Sequence, residues 1–134
     1  MLHRLIFASD AVGSATRSTL SIAQILGVSD RNNRRDRLCS AVVFHEGGIL
    51  QAVEGARADI DRLMGRLAKD GRHERIRILS DLPIPARFLA EPMAFCDPPA
   101  DEIDSLLAGR SLTALQAEEA QSLLCRCITL RAAA

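Results

Sequence analysis

An α+β fold is predicted by three features of the sequence: short apolar stretches of strand length, one long helical stripe between them, and a proline-marked break before a helical tail. Leu2 to Ser9 is short and apolar, as a buried strand is. Ser14-Ala15-Thr16 then offers N-cap chemistry to a helix whose stripe is Leu20, Ile22, Ala23, Ile25 and Leu26, with Gly27 suited to end it. Asp30 to Arg37 reads as a polar connection. Leu38 to Phe44 reads as a second strand, His45-Glu46-Gly47-Gly48 as a tight turn with glycines supplying positive φ, and Ile49 to Glu54 as a third strand. The two-residue period puts Ile49, Gln51 and Val53 on one face of that strand and Leu50, Ala52 and Glu54 on the other.

Ile60, Leu63, Met64, Leu67 and Ala68 follow helical spacing with charges opposite, and Asp70-Gly71 stops the helix. Arg75 to Ile78 alternates as a strand. After a loop with Pro83 and Pro85, the stretch from Phe88 to Phe95 has room for a short fifth strand, which Pro92 restricts to an edge or a bulge. Asp97-Pro98-Pro99 marks the one boundary, dividing a domain over 1–97 from a helical extension over 98–134. Two amphipathic helices are expected there, Asp101 to Leu107 and Leu112 to Ile128, capped from the Asp97–Asp101 region and by Ser111 and packing on the sheet. The order βαββαβ, a further edge strand and a helical pair is a ferredoxin-like arrangement with two helices on one face.

Bulk properties exclude several classes of function. With 134 residues, 48% hydrophobic and 25% charged, the chain is globular and long enough for one core. Lys plus Arg and Asp plus Glu are 17 each, so charge gives no reason to expect a nucleic acid or an anionic membrane. No apolar run approaches the roughly 20 residues of a membrane span, and the N-terminus enters a strand pattern at once without a secretory leader. Cytoplasm is the expected location. Cys39, Cys96, Cys125 and Cys127 lack zinc-like spacing and read as reduced thiols.

What remains are amide side chains where core or turn residues would serve: Asn32-Asn33, and Gln51 on an apolar strand face. A carboxamide carries both donors and an acceptor, and such groups point inward when something there needs them. An ordered set of segments accompanies them. It runs Leu5-Ile6-Phe7-Ala8-Ser9, Arg31-Asn32-Asn33 with Leu38 beyond, Leu50-Gln51-Ala52-Val53-Glu54-Gly55, Asp70-Gly71-Arg72-His73, and Arg87-Phe88 with Met93. This set, over about Arg4 to Phe95, resembles the BLUF family of flavin-binding blue-light sensors.

The resemblance implies a flavin between the two helices, over the sheet, with FAD favoured in the family and FMN and riboflavin admitted by the same ring contacts. It implies that Asn32 and Asn33 hold the pyrimidine edge of the ring, that Gln51 is the switch residue, and that Ile25 packs on the ring. Asp70, Arg72 and His73 match a turn near the flavin's side chain and phosphates, and Ser9 and Met93 match supporting or relay positions. The Arg34, Arg35, Arg37 cluster reads as a solvated charge run. One departure matters: Phe7 stands where the family has its photoactive tyrosine. The chain has no Tyr and no Trp to substitute, and Glu91 stands at a family tryptophan position.

The expected function is a flavin-binding light-sensor-like protein, not an enzyme, with an impaired photocycle and output through a protein partner or a homo-oligomer. The alternative is an interaction module that has lost flavin. A phosphatase on the same fold is disfavoured, because Ala8 to Gly13 lacks a phosphate-cradling arginine and holds Asp10, and because His3, His45 and His73 lie on separate elements.

Overall fold

The computed structural model describes residues 1–11, 28–69 and 73–133, with side chains described for all of these but Ala11, His73, Glu74 and residues 127–133. The elements run β1 (Leu2–Ala11), a helical segment α1 over residues 28–35, β2 (Cys39–His45), β3 (Gly48–Ala56), α2 (Arg57–Lys69), β4 (His73–Ile84), β5 (Ala94–Cys96), α3 (Ala100–Leu107), a 3₁₀ turn (Leu112–Ala114) and α4 (Ala117–Ala133). The helix predicted over 14–27 lies outside the described residues. Where a polar connection was expected from Asp30, the chain is helical to Arg35. Its run of Arg, Asn and Asp gives little apolar stripe, yet arginine is a good helix former, and this polarity marks a solvated helix face as readily as a loop.

The sheet order is β4-β1-β3-β2-β5. Its first four strands pair antiparallel, as a ferredoxin-like sheet does, and β5 joins parallel to β2 through Ala41–Ala94 to Val43–Cys96. The position of Pro92 explains why β5 begins only at Ala94: proline has no amide to donate to a ladder, so pairing starts beyond it. β4 is longer than expected and keeps Pro83 because it is an edge strand. The β2–β3 turn takes its positive φ at Glu46 and Gly47 (47° and 79°), not at Gly48, which is already paired in β3.

Central strands β1 and β3 are covered on both sides, so their alternation sorts two cores. One contains Leu5, Phe7, Leu38, Val53, Ile60 and Leu63, with α2 packed against it. The other contains Ile6, Ala8, Ala41, Val43, Leu50 and Ala52, covered by Ile103, Leu107, Leu112, Leu115, Leu123 and Leu124 of the C-terminal segments. Pro99 precedes α3 without a side-chain cap. Ser111 does not cap the 3₁₀ turn either, because its hydroxyl pairs with Thr113. Arg110 does the joining instead. It donates to the carbonyls of Leu106 and Leu107 and grips Glu119 at 2.7 Å, holding that carboxyl down to about 2.

Two polar devices fix the layers. Glu54 is fully buried on the C-terminal-helix side, and its carboxylate accepts Arg4 Nε at 2.8 Å and the amides of Phe88 and Leu89, each at 2.8 Å. Gly55 follows it, and a Cβ there would stand 2.5 Å from the buried Leu38 side chain. The second device is Asp36, just after α1. Arg35 donates to both of its oxygens, and Arg66 of α2 reaches it at 3.1 Å, closing α1 onto α2.

Breaking a buried ion pair strands its partner, so Arg4→Met is expected to lower unfolding free energy by about 3–5 kcal/mol. Chemical denaturation measures this, and a loss below about 1 kcal/mol would mean the two remaining amide dipoles, from Phe88 and Leu89, suffice. Asp36 gives a pH dependence of definite sign. The Arg35 hydrogen bonds hold its carboxyl below the ordinary 3.8. Its contribution is therefore present above that value and fades as pH falls through the lower folded-state pKa. The stability gap between native protein and Asp36→Asn should be widest near neutrality and shrink under acid. A gap that is flat from neutral to acid pH would contradict this.

Candidate functional site

On the α1–α2 side of the sheet, the two-residue period brings Leu5, Phe7 and Ser9 of β1 beside Ile49, Gln51 and Val53 of β3. Phe7 and Gln51 are direct cross-strand partners, and Ser9 pairs with Ile49. Phe7 and Ser9 are fully buried, and Gln51 is 7% exposed. The Gln51 carboxamide forms no hydrogen bond among the described residues. Its register neighbour on β1 is the one aromatic side chain that offers none.

Across β3, Gln51 pairs with Val42, two residues along β2 from Ser40 on the same face. Ser40 is where α1 meets the sheet. Asn33, 1% exposed, donates its amide to the Ser40 hydroxyl at 3.0 Å and to the Pro92 carbonyl at 2.8 Å. Ser40 in turn contacts the same carbonyl at 2.7 Å and the Met93 sulfur at 3.3 Å. The Asn33 assignment follows from chemistry, since two acceptors fix which end is NH₂. Both amide protons are thereby used. Its oxygen Oδ1 is left buried with no hydrogen-bond partner among the described residues.

Helical geometry explains why Asn33 points inward while Asn32 is half-buried: adjacent helical residues diverge by about 100°. The backbone carbonyls of both are engaged, Asn32 with the amide of Asp36 and Asn33 with that of Leu38. Leu38 anchors the exit of α1 in the core around Phe7 and Val53.

The structure thus gathers Phe7, Ser9, Gln51, Asn33 and Met93 on one side of the sheet, with Asn32 half-buried beside Asn33 in α1. Ile25, Asp70 and Arg72 lie outside the described residues, and His73 is described only as the first residue of β4. Ser40 and the Pro92 carbonyl were not foreseen, although a serine at an inward position of Leu38-Cys39-Ser40-Ala41-Val42 was the available signal. Of the arginine run, Arg35 serves Asp36, and Arg34 pairs with Asp30 at the surface.

The site fits a ligand with a polar edge. A buried acceptor without a donor costs about 1–3 kcal/mol, and Asn33 Oδ1 is such an acceptor. The pyrimidine edge of a flavin offers a ring N–H between two carbonyls, which suits it, and Gln51 supplies a second amide on the same side.

Comparison with known proteins agrees. A family model described as "Sensors of blue-light using FAD" matches residues 2–93. A photoactivated adenylate cyclase subunit beta-like protein of Euglena gracilis is 28% identical over 86 residues, which is 64% of this chain and 10% of that protein, so the chain spans about a tenth of its length. Among solved structures, a bacterial light-regulated adenylyl cyclase superposes with TM-score 0.72 at 28% identity, over 81% of this chain and 33% of that one. Two further structures share the fold nearly end to end. BlsA in its photo-activated state has TM-score 0.82 at 19% identity (96% and 95% of the two chains), and the BLUF protein BlrB in its dark state has 0.77 at 24% (97% and 96%). With a match over more than half of its length, and the expected α+β ferredoxin-like fold, this chain belongs to the BLUF family of blue-light sensors that use FAD.

Proposed function

We propose that this protein binds FAD over the sheet face of Phe7 and Gln51, and that its light response is silenced at Phe7. The observation that carries this reading is the cross-strand pair itself: a nearly buried glutamine amide opposite a phenyl ring that can neither accept nor donate a hydrogen bond. The cofactor, when bound, supplies blue-light absorption and an excited state that takes up an electron. The chain supplies everything else. Asn33, through its unpaired Oδ1, and Asn32 would hold the polar edge of the ring, and Gln51 would offer its carboxamide to the same group. Ile25, Asp70, Arg72 and His73 are assigned to the ring's flank and the cofactor's tail by family resemblance alone.

A tyrosine at position 7 would offer a readily oxidised ring and a hydroxyl within reach of Gln51. Phe7 offers neither, and no other Tyr or Trp exists in the chain. Gln51 therefore lacks the partner whose change of state would turn it over. Output is assigned to a protein partner or a second copy. The relatives named as cyclases are far longer than this chain, and no cyclase activity is carried over from them.

The test is an absorption and fluorescence spectrum of the protein supplied with FAD, before and after blue light. Bound, strongly fluorescent flavin without a reversible red shift is expected. A reversible red shift would refute silencing, and failure to bind flavin would favour an interaction module that has lost it. Asn33→Ala should weaken flavin binding by about 1–3 kcal/mol, which is roughly 5- to 150-fold in Kd. An unchanged Kd in both this variant and Asn32→Ala would remove the pair from the site. Phe7→Tyr should restore a light-induced red shift in the flavin band, because it returns both the donor and the partner of Gln51. A silent Phe7→Tyr protein would place the defect elsewhere.

A further inference from the structure

On the opposite side of the sheet from Gln51, three metal-ligating side chains converge where the β2–β3 turn meets α3. His45 Nε2 lies 3.4 Å from Asp104 Oδ1 and 3.9 Å from Glu46 Oε2, and the three ligand atoms all lie within 4.8 Å of one another. We infer that His45, Glu46 and Asp104 form a binding site for a divalent transition-metal ion of the Zn²⁺ class, which clasps the β2–β3 turn to the C-terminal helices.

The spacing suits such an ion. Bonds of about 2.0–2.2 Å from zinc to imidazole nitrogen and carboxylate oxygen place tetrahedral ligand atoms about 3.3–3.6 Å apart. The observed separations need small side-chain adjustments only, and two of the three side chains are exposed enough to make them. A mixed nitrogen and oxygen donor set favours Zn²⁺ or its first-row neighbours over Mg²⁺, which takes oxygen ligands. Three protein ligands leave a coordination position for water.

Charge points the same way. This chain repeatedly pairs its carboxylates with arginine, as at Asp10, Asp36, Glu54, Asp81, Glu102 and Glu119. Among the described residues, Glu46 and Asp104 meet no arginine or lysine and share the single imidazole. Two facing carboxylates call for a cation between them, and a neutral imidazole nitrogen is also a ligand.

The backbone holds the three in place. His45 ends β2 and is paired with Gly48, while Ile103 and Leu107 bury the face of α3 on either side of Asp104. Glu46 occupies a left-handed conformation (φ 47°) in a two-residue turn where Asn or Gly is the ordinary choice. The strain of a non-glycine residue there persists where surrounding structure or function requires it.

The test is titration of the purified, chelator-stripped protein with Zn²⁺, and with Co²⁺ for its visible spectrum, alongside a thermal melt. One ion per chain is expected, with a Co²⁺ spectrum free of thiolate charge-transfer bands and a Zn²⁺-dependent rise in Tm. His45→Ala and Asp104→Asn should each weaken binding by at least about tenfold. Their melting temperatures in chelator, and that of the shape-conserving His45→Gln, identify any variant that loses binding merely by unfolding. Absence of saturable binding, binding unaltered in His45→Gln and Asp104→Asn, or equal competition by Mg²⁺ would each overturn the assignment.

Discussion

A fully buried carboxylate, Glu54, is the constraint around which this fold is arranged. An ionised group taken out of water must recover several kcal/mol of hydration from its surroundings. Glu54 does so with four nearby donors: Arg4 through two nitrogens, and the backbone amides of Phe88 and Leu89. These come from β1 and from the segment between β4 and β5, which has no ladder of its own. The same segment sends Arg87 back to the carbonyls of Glu54 and Arg37. A stretch that sequence marks as irregular is thereby tied to the central strand by its own main chain.

This matters for the opposite side of the sheet. Three and four residues beyond Leu89, Pro92 gives its carbonyl to Asn33 and Ser40, and Met93 receives the Ser40 hydroxyl. Glu91 accepts the Ser40 amide from the same strand. One short segment thus touches both faces at the β2 side of the sheet. It donates two backbone amides to Glu54 beneath and positions Asn33 above. Phe88 and Leu89 also line a cavity of about 160 Å³ with Arg4, Ile6, Leu124 and Cys125, where α4 rests on the sheet. The amide site and the helical tail therefore share a structural support.

Much of this was legible because a strand's period is two. The alternation through Ile49 to Glu54 placed Gln51 on one side and Leu50 and Glu54 on the other, and the register then sets Phe7 opposite Gln51. The helical stripe from Ile60 to Met64 was equally plain. Residues 28–35 were not, because a solvated helix face and a polar loop have the same composition when few apolar residues are present. The turn was misjudged at Gly48 because two adjacent glycines conceal which of them needs the left-handed region. Partners distant in sequence could not be read at all. Nothing in the neighbourhood of Glu54 announces Arg4, and Asn33 gives no sign of Pro92, 59 residues away.

The family resemblance and the physical accounting meet at the polar groups left without partners. Among the described residues, buried amides and carboxylates are otherwise satisfied: Glu54 by arginine and amides, Asp36 by arginines, the Asn33 amide by two oxygens. Against that background, the unengaged Asn33 oxygen and the Gln51 carboxamide stand out on the same side of the sheet. Replacing a tyrosine by phenylalanine deletes one hydroxyl and changes little in shape, so the packing at Phe7 is that of an ordinary core residue. What changes is what Gln51 can exchange with its neighbour. On the proposed reading of this face as the flavin site, keeping the amides while lacking that hydroxyl would retain the means to hold a polar ring edge and lose the means to answer its excitation.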